Sequence, residues 1–202
     1  MLLAILGAGG HGRVIAESAV SSGWTVNFFD DALVGQVDGL PVAGKAADVI
    51  DARVDGAIVA IGDNRIRLAW IGRLRASGVR IVTVADPSSQ VSITARIGDG
   101  SFIARGAIVS TGAILGSGCI INTAATVDHD CRLGDGVHIS PGAHLSGAVQ
   151  IGEASWLGTA CAVRNNITIG SDVIVGVGGV VVNNVGNGQT VVGVPARPME
   201  KL

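Results

Sequence analysis

From Val91 onward the chain keeps a six-residue period: VSITAR, IGDGSF, IARGAI, VSTGAI, LGSGCI and onward to VGVGGV, fifteen hexads in one phase. Every hexad opens with Val, Ile or Leu, and Val181 opens the next. An alternating strand repeats every second residue and an amphipathic helix every 3.6, so neither alone produces this pattern. A parallel β-helix does. Each hexad supplies a short strand and a turn, and three hexads close one triangular coil. The aliphatic first residues then stack inward on their copies in the coils above and below. Small fifth residues fit where the prism is narrow, and glycines serve the corners. Five coils give a prism about 24 Å tall at roughly 4.8 Å per strand spacing.

Composition agrees with such a core. Apolar residues make up 48% of the 202, yet aromatics only 3%, so small and β-branched side chains must fill the interior. A net charge of −2 leaves no electrostatic footprint for nucleic acid or an anionic membrane surface. The opening MLLAILGAGG lacks a basic n-region and is too short for a signal peptide, and no apolar run is long enough to span a bilayer. Cys119, Cys131 and Cys161 all fall at fifth positions of the repeat and read as small core residues. Without a C-x-x-C pair they suggest neither metal binding nor redox chemistry, and free thiols suit a cytoplasmic protein.

Residues 1–85 follow a different pattern. LLAIL reads as a buried strand, RVIAESAVSSG as a helix, TVNFFDD and GAIVAIG as strands, RIRLAWIGRLRASG as a helix and RIVTV as a last strand. Strands alternating with helices imply βαβ units and a parallel sheet. The expected boundary is the ADPSS stretch at 85–89, with residues 86–202 forming the prism and its tail. Gly7, Gly9 and Gly12 satisfy G-x-G-x-x-G directly after the first strand, and Asp30 ends the second. The domain holds only half of a two-lobed dinucleotide fold. A glycine turn opening a helix nevertheless favours a negatively charged group such as a diphosphate.

This half-Rossmann domain, followed by a hexapeptide prism and a VVGVPARP tail, resembles the nucleotide-aminosugar N-acetyltransferases of bacillosamine and perosamine type, with the sialic acid O-acetyltransferase-like proteins. The likeness covers essentially the whole chain and implies a left-handed β-helix, which hexad spacing does not itself fix. It also implies acetyl-CoA as donor, a nucleotide-linked amino sugar as acceptor and a homotrimer. Flat prism faces lined by apolar or small residues would favour packing of three copies. In that family the G-x-GHG turn, an Asp pair and an (A/S)IG(D/N)N turn surround the nucleotide-sugar. Here these are Gly9, Gly10 and His11, then Asp30 and Asp31, then Gly62 and Asn64 within AIGDN.

Of the four histidines, His144 reads as a surface or corner residue. His129 occupies a third position, between Asp128 and Asp130, and is expected to point outward. A carboxylate beside an imidazole fixes its tautomer and raises its basicity, which suits a general base. The family pattern N-(T/S)-x-x-V-x-H-(E/D)-C, with a further His nine residues on, is met by Asn122, Thr123, Val127, His129, Asp130, Cys131 and His138. By that resemblance His129 is the base and Asp130 its partner, a shorter one than the Glu often found there. His138, Gly147, Thr159 and Val177 line the coenzyme groove, where the family can carry Gly in place of Val177. Arg164 and Arg197 are candidates for the coenzyme phosphates on charge alone.

Three other readings compete. A β-helix zinc enzyme would also use histidines, but it calls for two about five residues apart and a third some thirty residues off, against spacings of 9 and 6 here. No metal is therefore expected. An NAD-linked oxidoreductase needs the missing second lobe, and a non-enzymatic scaffold has no use for the charged triplet. N- versus O-acetylation and the acceptor nucleotide stay open, with a UDP-4-amino-4,6-dideoxy sugar the first choice.

Overall fold

A computed structural model describes residues 1–199. The N-terminal region is a five-stranded sheet formed by β1 (Leu2–Leu6), β2 (Thr25–Phe29), β3 (Gly35–Val37), β4 (Leu40–Gly44) and β5 (Gly56–Val59). Helix α1 (Gly10–Ser21) follows β1, and α2 (Asn64–Ala76) follows β5. Strand order is β3-β4-β2-β1-β5, all parallel except β3 against β4. β1 and β5 are almost wholly apolar because both faces are covered. Leu3 and Ile5 pack with Ile15 and Ala19 of α1, whereas Ala4 and Leu6 pack with Ile71 and Leu74 of α2.

The prism is a parallel β-helix, as the hexads imply, and left-handed, as the family resemblance implies. Each strand consists of the sixth residue of one hexad and the first of the next, and each pairs with its counterpart eighteen residues on, as in Ile108 with Thr126 and Val109 with Val127. First-position residues from Ile103 to Val181 are at most 4% exposed. Burying a side chain of this size stabilises by about 1.5–3 kcal/mol, so this column is the main source of cohesion. The cysteines belong to the same interior. All are fully buried and unpaired, and desolvation pushes the thiols of Cys119 and Cys161 up to about 12, so they are inert.

Glycine has two separate duties along the corners. The fourth position of the hexads from 100 to 178 is left-handed, with φ from 54° to 75°, whether Gly, Ala, Asn or Asp stands there. Second-position glycines have ordinary φ but let coils approach closely: a Cβ on Gly134 would lie 2.7 Å from the Glu153 nitrogen.

Three sheets give three faces. The first carries Val84, Phe102, Ile120, His138, Trp156 and Ile174 outward and is the docked face, because Phe102 and Ile120 complete the core on the α1 side. The second carries Ile108, Thr126, His144 and Ala162. The third carries Arg96, Ile114, Arg132, Gln150 and Thr168, so it is mainly polar, contrary to the expectation of apolar faces all round. The antiparallel pair Thr190–Val192 and Arg197–Pro198 extends the docked face at its far end.

RIVTV is not a strand of the N-terminal sheet. Only Ile81 bridges Ala57, and Val84–Ala85 is already the first rung of the prism, paired with Phe102–Ile103. The hairpin β3–β4 and the 3₁₀ turn Ala46–Ile50 were not expected from the sequence. Among the described residues no helix is long and apolar enough to cross a membrane.

Candidate active site

β1 lies between β2 and β5, so the chain leaves it in one direction for β2 and in the other for β5. Ligands in open α/β sheets sit at such a switch point, beyond the carboxyl ends of the strands. Gly9 and Gly10 follow β1, Asp30 and Asp31 follow β2, and Gly62 and Asn64 follow β5, so the three loops adjoin at that edge. Gly9, Gly10 and Gly62 face open space, with nothing within 4 Å of an added Cβ. Gly12 serves packing instead, since a Cβ there would meet the Gly7 carbonyl oxygen at 2.0 Å. α1 has no side-chain cap, whereas Asp63 caps α2 by accepting from Ile66 N–H at 2.8 Å. The open N-terminus of α1 is thus the free donor set for an anion.

The two aspartates behave differently. Asp30 accepts from the N–H groups of Ala8, Ala32 and Leu33, which hold its carboxyl below the usual range although burial opposes them. It braces the turns. Among the described residues Asp31 accepts only from Ala46 N–H, at 3.1 Å, and it borders a cleft of about 220 Å³ with Gly7, Ile61 and Trp70. Asn64 is fully engaged within the chain. Its Nδ2 donates to Ala154 O and Ser155 O, and its Oδ1 accepts from Arg67. His11 lies at the junction with the prism, its ring edge-on to Phe102 at 5.7 Å and its buried Nε2 without a partner among the described residues. Burial first, then the Arg67 charge, lowers it to about 4.

His129 and Asp130 form the third and fourth residues of the turn between the second and third faces. The His129 side chain is 55% exposed, and its Nδ1 lies 2.9 Å from Asp130 Oδ2. Nδ1–H therefore donates to the carboxylate and Nε2 keeps its lone pair. The Asp130 hydrogen bond, and then the Asp128 charge, raise the ring's pKa above the ordinary value. Glycines flank the pair on the neighbouring coils. A Cβ on Gly112 would meet Asp130 Oδ1 at 2.7 Å, and one on Gly147 would meet His129 Nε2 at 2.4 Å. Gly147 N–H has no partner among the described residues.

His138 lies on the docked face, stacked on Trp156 with centroids 5.9 Å apart, and Trp156 Nε1 donates to Ser140 Oγ at 2.7 Å. Asn122 Oδ1 accepts from Thr123 N–H, which turns Asn122 Nδ2 toward His138 Nε2 at 3.2 Å. His138 Nε2 is thus the acceptor and Nδ1 carries the proton. Burial, then the charges of Arg67 and His11, lower it to about 3, so it is neutral at ordinary pH. A cleft of about 450 Å³, within the size range of ligand pockets, runs between Gly62, Asn64, His138 and Trp156.

One chain does not unite these groups. His129, Gly147 and Arg164 share the corner between the second and third faces; Thr159 and Val177 share the corner between the docked and second faces. His138 is on the docked face and His144 on the flat second face, where its Nδ1 lies 3.0 Å from Thr126 Oγ1. The three prism histidines therefore point to different sides and form no metal-ligand cluster among the described residues. Thr159, Val177, Arg164 and Arg197 are exposed, and the two arginines form no ion pair among the described residues. Arg67, Trp156 and the partner role of Asn122 were missed from the sequence. The one available signal for Arg67 was its i,i+3 spacing from Asn64.

A prism with an exposed, carboxylate-paired imidazole, docked to a sheet with an open glycine turn, is the architecture of a hexapeptide-repeat acyltransferase. Residues 2–74 match the family described as the PglD N-terminal domain. The acetyltransferase domain of PglB from Neisseria gonorrhoeae FA1090, solved with acetyl coenzyme A, is 44% identical over 98% of both chains, with a TM-score of 0.96. PerB from Caulobacter crescentus, in complex with CoA and GDP-perosamine, is 37% identical over 99% of this chain and 98% of its own, with a TM-score of 0.95. WeeI from Acinetobacter baumannii AYE is 28% identical over 98% of this chain and all of its own, with a TM-score of 0.88. Among curated proteins the chain has no match. The chain belongs to the nucleotide-aminosugar N-acetyltransferase family and is an acetyltransferase.

The ring pair makes a pH-dependent prediction. Asp130→Asn removes the main cause of the raised His129 pKa. The acid limb of kcat/KM should then move to lower pH, because the ring loses its proton sooner. The plateau should fall by roughly tenfold, since basicity and ring orientation are both lost. A pH–rate profile of both proteins reads this directly, and an unmoved limb would remove Asp130 from the mechanism.

Proposed function

We propose that the protein transfers the acetyl group of acetyl-CoA to the amine of a nucleotide-linked amino sugar. The observation that carries this reading is the exposed His129–Asp130 pair, with Nε2 free and close against Gly147, whose N–H has no partner among the described residues. As the amine nitrogen attacks the thioester carbonyl carbon, His129 Nε2 takes the nitrogen's proton. Gly147 N–H donates to the oxyanion of the tetrahedral intermediate, a contribution of a few kcal/mol in comparable sites. Collapse breaks the C–S bond, and the imidazolium returns its proton to the leaving thiolate of CoA. No acyl-enzyme is needed, since the buried thiols cannot reach substrate.

The acceptor's nucleotide is read as bound at the Gly9–His11 turn beside Asp31, with the sugar directed toward the Gly62–His138 cleft. Thr159, Val177 and His138 are read as lining the coenzyme groove, with Arg164 and Arg197 toward its phosphates. These groups and the His129 corner lie on different sides of one prism, which supports a homotrimer whose sites form between copies. The complexes of the relatives with acetyl-CoA, and with CoA and GDP-perosamine, support both substrate classes. A UDP-4-amino-4,6-dideoxy sugar remains the first choice of acceptor. The GDP-perosamine complex favours a GDP-linked amine as the second reading.

The deciding experiment measures thiol release from acetyl-CoA against UDP-, GDP-, dTDP- and CMP-linked amino sugars and a free sialic acid. Turnover on one nucleotide-linked amine, at least about a hundredfold above the hydroxyl acceptor, is expected. Acetyl transfer to the hydroxyl acceptor alone would overturn the N-acetyl reading.

A further inference from the structure

Arg67 heads the fully buried side chains by size and is only 1% exposed. All its N–H groups are used. Nε donates to Gly118 O at 2.8 Å, and Nη1 to Ile61 O at 2.9 Å and Gly62 O at 3.2 Å. Nη2 donates to Asn64 Oδ1 and Gly136 O, both at 2.8 Å. Two acceptors lie on prism corners, and three lie in the turn from β5 into α2. None is a carboxylate. The Asp63 charge favours the cation without bonding to it. A buried cation with no carboxylate among its hydrogen-bond partners is still costly, and a neutral residue would pin two backbones with less desolvation. A role besides cohesion is the economical explanation.

We propose that Arg67 is a positioning residue of the acceptor site, fixing the Ile61–Asn64 turn against the prism so that Gly62 and His138 keep one separation across their cleft. This rests on the reading of that cleft as the acceptor's place. Planarity suits Arg to the task, because a guanidinium spreads its donors over both bodies in one rigid plane. Its charge also bears on the two imidazoles nearby, His11 and His138, and adds to the burial that keeps both neutral. The other charged groups at the cleft are Asp63, which caps α2, and Arg65, which pairs with Glu153 and Asp172.

Two variants separate position from charge. Arg67→Lys keeps the cation but cannot span the same acceptors; Arg67→Met removes both. In each, KM for the nucleotide-aminosugar should rise at least about tenfold while KM for acetyl-CoA stays within about twofold, as expected when a reacting partner is misplaced by an ångström or less. Only Arg67→Met should add an acid limb to kcat/KM as His138 begins to titrate, and ¹⁵N NMR of the imidazoles should show the same change. Parallel changes in both KM values, unchanged kinetics, or loss of folded protein in both variants would make Arg67 a structural residue and overturn the proposal. Calorimetric titration with UDP and with GDP keeps the two readings apart. A wild type that binds nucleotide but transfers no acetyl group removes the proposed function. Affinity of the variants for the nucleotide-linked amino sugar equal to that of wild type removes the role of Arg67.

Discussion

His129→Ala should lower kcat/KM by about 10² to 10⁴, the usual worth of a positioned general base. The loss should appear mainly in kcat, because in the proposed mechanism the imidazole acts on a proton that moves only as the C–N bond forms. Acetyl-CoA affinity should stay within about twofold, and the melting temperature should be nearly unchanged. The ring is more than half exposed, and its side chain makes a single hydrogen bond, to Asp130. Surface changes of this kind ordinarily cost little stability. The measurement is steady-state thiol release on the acceptor identified by the panel, with oligomeric state checked by sedimentation. Turnover within about threefold of wild type would sink the mechanism while leaving the fold untouched.

Gly147→Ala is the companion prediction and reaches the same nitrogen from the neighbouring coil. The backbone of Gly147 has ordinary φ, so Ala brings no conformational strain. Its Cβ, however, would lie 2.4 Å from His129 Nε2 and 2.5 Å from Cε1, well inside contact distance. The imidazole is the end of an exposed side chain and gives way, leaving Asp130 and the space above Gly147. We expect a folded protein with a melting temperature within a few degrees of wild type and kcat/KM reduced by roughly 10²-fold, the effect of an ångström-scale misplacement. A structure of the variant should show the His129–Asp130 hydrogen bond broken. An active Gly147→Ala enzyme with its ring in place would mean that the close approach has no part in catalysis.

The prism was legible because its period has a single physical cause. Eighteen residues close a coil, so inward side chains recur every six, and the phase alone assigned Val127, Cys131 and Leu133 to the interior before any coordinate was known. His129 was legible for the same reason: the third position lies outside the column. The hairpin β3–β4 was less visible, since GQV and LPVAG are short, and Pro41 weakens the strand signal. Its turn did carry a signal, for Asp38-Gly39 between apolar residues, with φ of 50° and 78°, is a favoured two-residue hairpin connection. Asp30 and Asn64 show the limit of motif reading. Both stand in the expected motif, yet their polar atoms are bound within the chain, and only the hydrogen-bond partners reveal this. Arg67 was hidden by its neighbours. In RIRLAWIGRLR it reads as one more solvated cation on a helix, and its burial depends on a prism corner fifty residues away.

Stacked rungs also make distance along this enzyme a discrete quantity. Losing or gaining eighteen residues would leave every ladder intact while shifting all later groups by one step of about 4.8 Å. A change of six residues would instead swing them a third of a turn onto another side. The reach between the glycine turn and the imidazole corner can therefore drift in such chains only by whole steps. Under the proposed function, a change in acceptor length would then be met by a change in the tally of coils rather than by gradual remodelling of loops.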